Sequence, residues 1–124
     1  MDLTEHSHSH PNLITLDEKG LLRDTEGTIY SQSIIVPWDA PIVPVNIKKA
    51  SEINEALIQQ LCEYQPEIIV LATGETIEYP DTNLLLPLVQ NNIGLEVMTN
   101  TAAARTLNVL MSEYRKALCL FLIT

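Results

Sequence analysis

From residue 51 onward the chain alternates between amphipathic stretches and runs that are apolar at almost every position. Two runs carry the constraint, EIIVLA at residues 67–72 and KALCLFLI at residues 116–123. A strand with one face in water shows a polar residue at every second place, and these runs do not. Each must lie inside a sheet that is covered on both faces. Helical stretches set between such strands imply a central sheet packed on both sides, which is an α/β domain. Right-handed crossovers would join any parallel pairs among the strands.

The first amphipathic stretch, residues 51–64, reads as a helix. Ser51 is a good N-cap, and Glu52 suits the positive helix end. Ile53, Ala56, Leu57, Leu61 and Tyr64 share one stripe at helical spacing. Pro66 closes it, and the strand 67–72 ends at Thr73-Gly74-Glu75. Asp81 or Thr82 caps a second helix to about Asn92, interrupted in principle by Pro87. Asn91-Asn92-Ile93-Gly94 is a stop, and residues 95–99 form a short strand. Asn100 or Thr101 caps a third helix, to about Tyr114.

The N-terminal third has a different character. Residues 1–11 read as a flexible tail ahead of a single domain at 12–124, since 124 residues fit one core. Residues 12–16 form a short strand, followed by turns at 17–20 and 24–27. Residues 28–36 are rich in β-branched side chains and read as one strand. Pro37, Pro41 and Pro44 restrict residues 42–47 to an edge strand, because proline cannot donate to a sheet ladder. A mixed sheet with a smaller β-layer or hairpin is the expected architecture.

Function classes narrow quickly. The net charge of −9 and the scattered seven Lys and Arg residues give no cationic footprint for nucleic acid or for an anionic membrane. Cys62 and Cys119 show no metal-site spacing and read as buried thiols in a reducing compartment. The start of the chain lacks an apolar signal core, so a cytoplasmic location is expected. His6, His8 and His10 are the only histidines. In an extended chain they would share one side and chelate a transition metal weakly, but they read as a solvated tail, so no metal site is assigned. From residue 11 onward no Ser-His or Cys-His pair can form, and phosphate-cradling and dinucleotide glycine motifs are missing. No cofactor and no catalytic residue is assigned. Glu75 and Glu78 flank a loop, but with 16 acids in the chain they read as a solvated pair.

The most informative segment is TNTAAARTLNVLMSEYR, residues 99–115. At about 100° per residue, Thr101, Arg105, Asn108, Ser112 and Arg115 fall within an arc of roughly 80°. Ala102, Ala103, Leu107, Val109, Leu110, Met111 and Tyr114 fill much of the rest, so one narrow polar seam is expected. Arg105 stands in the first turn, where a cation opposes the helix dipole. Either Arg105 and the helix amides hold an anion or acidic partner, or Arg105 pairs with an internal acid such as Glu75, Glu78 or Glu113. Gly74 at the carboxyl end of a central strand stands where open α/β sheets place ligands. The candidate ligand- or partner-binding set is therefore Thr73, Gly74, Thr101, Arg105, Asn108, Ser112 and Arg115.

Ser33-Ile34-Ile35 with Pro37-Trp38, PEIIVLATG (66–74) and GLEVMTNTAAARTLNVLMSEYR (94–115) together resemble a family of small domains. That family includes a mitochondrial complex I assembly factor and an adipogenesis-associated protein, beside bacterial and archaeal proteins of unknown function. The resemblance covers residues 12–124. It implies a three-layer α/β domain with a central mixed β-sheet, helices on one side and a β+α layer on the other. It also implies a groove near Gly74 and the start of the third helix. The chain departs from the family pattern in three places. Leu107 stands where an aromatic is common, Tyr114 where a glycine is common, and Thr73-Gly74-Glu75 replaces a more glycine-rich loop.

The reading that results is a non-enzymatic protein-binding or assembly module with a protein partner. The alternative is a binder of a small anion or metabolite, an enzyme included, at the Gly74 loop and the start of the 101–114 helix. A third is a homo-oligomer that buries the proline-rich edge around Trp38.

Overall fold

A computed structural model describes residues 13–124. The expected tail, with His6, His8 and His10, lies outside the described residues. Eight strands and three helices follow one another as β1 (Ile14–Leu16), β2 (Leu22–Asp24), β3 (Ile29–Tyr30), β4 (Ile34–Val36), β5 (Val43–Pro44), α1 (Glu55–Glu63), β6 (Ile68–Ala72), α2 (Leu86–Gln90), β7 (Gly94–Met98), α3 (Asn100–Ser112) and β8 (Ala117–Phe121). The central sheet runs β5-β4-β8-β6-β7, and β1-β2-β3 form a separate antiparallel meander. β8 pairs antiparallel with β4 and parallel with β6, so the central sheet is mixed.

The two apolar runs occupy the middle of this sheet. Every residue of β8 is buried, and register sets Val36, Cys119 and Val70 in one row, with Ile35, Leu120 and Leu71 in the next. Alternate rows face opposite sides. Val36, Val70, Ala72, Cys119 and Phe121 meet Ala103, Leu107 and Met111 of α3 and Ile14 and Leu22 of the meander. Ile35, Ile69, Leu71, Leu118 and Leu120 meet Leu57, Ile58 and Leu61 of α1 and Leu88 of α2. The domain is thus three layers deep, with α1 and α2 on one side and the meander plus α3 on the other.

The meander is held by two aspartates that do the same work. Asp17 Oδ1 accepts from the Lys19 and Leu21 amides at 2.8 and 2.9 Å. Asp24 Oδ1 accepts from the Glu26 and Thr28 amides, both at 2.9 Å. Each closes a hairpin as an Asx turn. The stretch 28–36 is two strands rather than one. β3 pairs with β2, while β4 crosses to β8, and the chain changes sheets over residues 31–33. Ser33 is buried at this crossing and its Oγ accepts from the Ile123 amide at 2.8 Å.

The first helix starts later than Ser51. Residues 50–52 make a 3-10 turn, Ile53 is extended, and Asn54 caps α1 by accepting from the Leu57 amide at 2.9 Å. The buried stripe is accordingly Leu57, Ile58 and Leu61, with Ala56 exposed. Asp81 caps a 3-10 turn that leads into α2, and Pro87 sits in the first turn of α2, where its missing N–H costs nothing. α3 is capped by Thr99, one residue before the expected positions, through its Oγ1 and the Ala102 amide at 3.3 Å.

All three helices end on a left-handed residue that is not glycine: Gln65, Asn92 and Tyr114, with φ of 56°, 56° and 60°. At the end of α3 the Tyr114 amide donates to the Met111 carbonyl and the Arg115 amide to the Leu110 carbonyl, both at 3.0 Å. This is the paired closing pattern that usually has glycine at the turning residue. Among the described residues no helix is long and apolar enough to cross a membrane.

Candidate functional site

β6, β7 and β8 run parallel, so their carboxyl ends lie at one side of the sheet. The loop after β6 and the start of α3 meet there. Thr73 is buried, and its Oγ1 donates to the Thr76 carbonyl at 2.7 Å while accepting from the Glu78 amide at 3.0 Å. Its own amide donates to the Met98 carbonyl at 3.0 Å. Gly74 then turns with φ of +99°, a conformation that a side chain would strain.

The residue that organises this corner is Asn100, expected from the sequence only as one of two alternative helix caps, with Thr101. It is buried, and its Oδ1 accepts from the Gly74 amide at 2.9 Å. Its Nδ2 donates to the Leu122 carbonyl at 3.0 Å, and its backbone amide donates to the Gly74 carbonyl at 2.9 Å. One amide side chain therefore joins the loop after β6, the first turn of α3 and the end of β8. A sequence signal existed in the Thr-Asn-Thr run, since Thr99 could cap and leave the asparagine free for a second task.

The remaining candidates divide along α3. Thr101, which follows Asn100 at the Gly74 corner, and Arg105, one turn further along the helix, are both exposed. Arg105 makes no hydrogen bond or ion pair among the described residues. Its expected partners Glu75, Glu78 and Glu113 do not hold it, since the ion pair present among those residues joins Arg115 to Glu67. Asn108 turns the other way. Its Oδ1 accepts from the Ile14 amide at 3.2 Å and its Nδ2 donates to the Ile14 carbonyl at 3.0 Å, which clamps β1 to the helix. Ser112 Oγ donates to the Val109 carbonyl at 2.7 Å. Arg115 lies beyond the helix end, past the left-handed Tyr114.

Thr73, Gly74 and Thr101 thus gather at one end, Arg105 stands near the middle of α3 rather than in its first turn, and Ser112 and Arg115 stand at the other end. The solvent face of α3 is also broader than a narrow seam, because Val109 is 55% and Tyr114 89% exposed. The helix N-terminus is partly closed, with the Asn100 amide on Gly74 and the Ala102 amide on Thr99.

Electrostatically, the far end is the more defined. Glu67 Oε1 accepts from Arg115 Nε at 2.7 Å and from the Lys116 amide at 2.9 Å, and these two bonds hold its carboxyl below the ordinary glutamate value. Both thiols are free; burial pushes Cys62 up and Cys119 well up, which suppresses thiolate character. Among the described residues no group of three or more His, Cys, Asp and Glu is placed to hold a metal ion, and every buried side-chain N or O has a hydrogen-bond partner.

A second feature lies on the α1–α2 side. Pro80, Leu85 and Leu88 line a small apolar cavity together with Leu71 and Leu120. Their neighbours in the chain point outward: Tyr79 is 74%, Leu86 58% and Val89 70% exposed, and Ile77 is about half exposed. No reading of the sequence had singled these out, because an apolar residue on a short irregular helix gives no periodic signal.

A family model described as a protein of unknown function, DUF498/DUF598, matches residues 14–122. No curated protein matches the chain. Among solved structures, a Bordetella parapertussis protein is 26% identical with a TM-score of 0.83, over 92% of this chain and 97% of that one. A Xanthomonas campestris protein is 29% identical, also with a TM-score of 0.83, over 99% of this chain and 92% of that one. A Mth938-like domain from Bordetella pertussis shares the fold at 22% identity and a TM-score of 0.77, over 90% of this chain and 85% of that one.

Proposed function

Because the chain belongs to the DUF498/DUF598 family of proteins of unknown function, we propose, from its own surface, that it is a protein-binding or assembly module rather than an enzyme. The observation that carries this is the exposure of Tyr79, Leu86 and Val89 in a stretch whose Pro80, Leu85 and Leu88 line an apolar cavity. Apolar side chains turned to water along one short stretch mark a contact surface, above all when their neighbours are locked in the core. At the usual ligand corner, in contrast, the polar groups are already engaged, Thr73 Oγ1 with Thr76 and Glu78 and Asn100 with Gly74. The family that the sequence resembles includes an assembly factor, which is in keeping with the same reading, and the free thiols suit a cytoplasmic setting.

The test is affinity capture from the source cell with the wild-type chain and with Leu86→Glu/Val89→Glu, both checked for fold by circular dichroism. A protein retained by the first and lost from the second is the expected result. Identical retained sets from the two baits would overturn the proposal.

One observation favours a second reading, a small-anion site. Arg105 is exposed, unpaired among the described residues, and one turn from Thr101. Phosphate titrated against the protein would then shift the Thr101 and Arg105 amide signals saturably, and Arg105→Ala would abolish the response. Unshifted signals would end that reading.

A further inference from the structure

The central sheet has two edges, and they are built differently. At one edge, β5 is two residues long, one of them Pro44, and Pro41 precedes it. Short length and proline are devices that keep a foreign strand from pairing. At the other edge, β7 is five residues long, free of proline, and paired along its whole length to β6. The Gly94 amide donates to Glu67 and the Met98 carbonyl accepts from Thr73, so these groups face inward. Alternation then turns the amides and carbonyls of Leu95 and Val97 outward. Among the described residues no strand pairs with that side.

The chemistry around this edge is one-sided. Residues 50–104 hold eight Asp and Glu and no Lys, Arg or His. Glu96 is exposed at the middle of β7, on the face of the sheet that carries Val70 and Cys119. Leu95 and Val97 are half-buried on the opposite face, beneath α2 with its exposed Leu86 and Val89. A second copy paired in register about the centre of β7 would set Glu96 against Glu96, and like charges directly opposite destabilise a pair.

We propose that β7 takes an extended segment of a partner protein by strand addition, with basic side chains beside Glu96 and apolar ones toward Leu95, Val97 and α2. Outward main-chain groups supply the ladder, and the alternation of Glu96 with Leu95 and Val97 selects the pattern. The proposal rests on the protein-binding reading above and names the partner's chemistry.

The experiment is amide hydrogen exchange by NMR on the whole chain, with blocked peptides of alternating Val and Lys or alternating Val and Glu. The basic peptide is expected to slow exchange at Leu95 and Val97 by about tenfold or more, and the acidic peptide to leave it unchanged. Glu96→Lys should reverse that preference. Unchanged exchange with the basic peptide, equal protection by both peptides, or protection that grows with protein concentration alone would each overturn the proposal. The capture assay on Leu86 and Val89 reads the side chains of α2 and not the main-chain ladder of β7. A partner captured there with no protection at Leu95 and Val97 would sink strand addition and leave the module reading standing.

Discussion

Asn100 grips Gly74 from both sides, accepting from its amide through Oδ1 and donating to its carbonyl from the backbone, each at 2.9 Å. The third bond of the residue, from Nδ2 to Leu122, ties the same corner to the end of β8. Replacement by alanine removes both side-chain bonds and leaves a donor on Gly74 and an acceptor on Leu122 without partners. Asn100→Ala is expected to cost about 2–6 kcal/mol, from about 1–3 kcal/mol for each of the two polar groups left unsatisfied. Urea unfolding would show it as a lower midpoint with an unchanged slope. A loss under about 0.5 kcal/mol, the size of an ordinary surface substitution, would show that the corner is held by something else.

Asn108 performs a comparable task for the meander, since both of its amide atoms bond to Ile14. Asn108→Ala is expected to loosen β1 from α3 while the central sheet persists. Hydrogen exchange should speed up at Ile14 and its neighbours in β1 and remain slow in β8. Global destabilisation of about 1–2 kcal/mol accompanies it, the scale of a lost pair of half-buried hydrogen bonds.

Tyr114 holds a left-handed conformation that costs an L-residue about 1–2 kcal/mol, and its exposed ring recovers little through packing. Tyr114→Gly relieves that cost, less the greater chain entropy that glycine loses on folding. The variant is expected to be about 0.5–1 kcal/mol more stable, read as a raised thermal midpoint. Tyr114→Ala, which keeps a Cβ, should give no such gain.

Tyr30 and Asp24 form a titrating pair, with the hydroxyl donating to Asp24 Oδ2 at 2.8 Å. Burial first, then the bond to Asp24 and its charge, push the Tyr30 phenol up to about 12. Burial pushes Asp24 upward too, but the Tyr30 hydroxyl and the Thr28 and Glu26 amides outweigh it and hold the carboxyl below its ordinary value. The signs follow by linkage. The raised phenol contributes stability that is whole below about pH 10, the ordinary phenol value, and fades as pH climbs through about 12. The depressed carboxyl contributes stability that is whole above its ordinary value and fades as pH falls through its folded value. Asp24→Asn is expected to bring the Tyr30 midpoint down toward the ordinary phenol range, measured by NMR of its ring. An unmoved midpoint would assign the shift to burial alone.

Much of the fold could be read from residue patterns because the pattern and the packing have the same cause. β6 and β8 are apolar at every position since both faces are covered, and the prolines at 37, 41 and 44 confined β5 to an edge. The misses share a different cause. Nothing local tells residues 28–36 that Ile29 pairs in one sheet and Ile34 in the other, because β-propensity carries no partner information. β2, only Leu22–Asp24, was hidden between two turn signals. The start of the first helix was set too early, since residues 50–52 form a 3-10 turn and Asn54, not Ser51, caps α1. At the candidate corner, Thr73 and Gly74 stood out from their position after a central strand, whereas Asn100 did not. Its role depends on Leu122, a residue 22 positions away, and long-range bonds leave no mark in a short window.

The strand order has a temporal side. β8 joins β4 to β6 at the middle of the sheet, yet it is the last of the eight strands in the order of synthesis. Until residues 117–121 leave the ribosome, β4 with β5 and β6 with β7 are two ribbons without a common neighbour. Their inward edges are bare and rich in Ile, Leu and Val during that interval. A nascent chain of this design is most exposed to misassociation in the interval before β8 emerges, when Ile34–Val36 and Ile68–Ala72 have no strand between them.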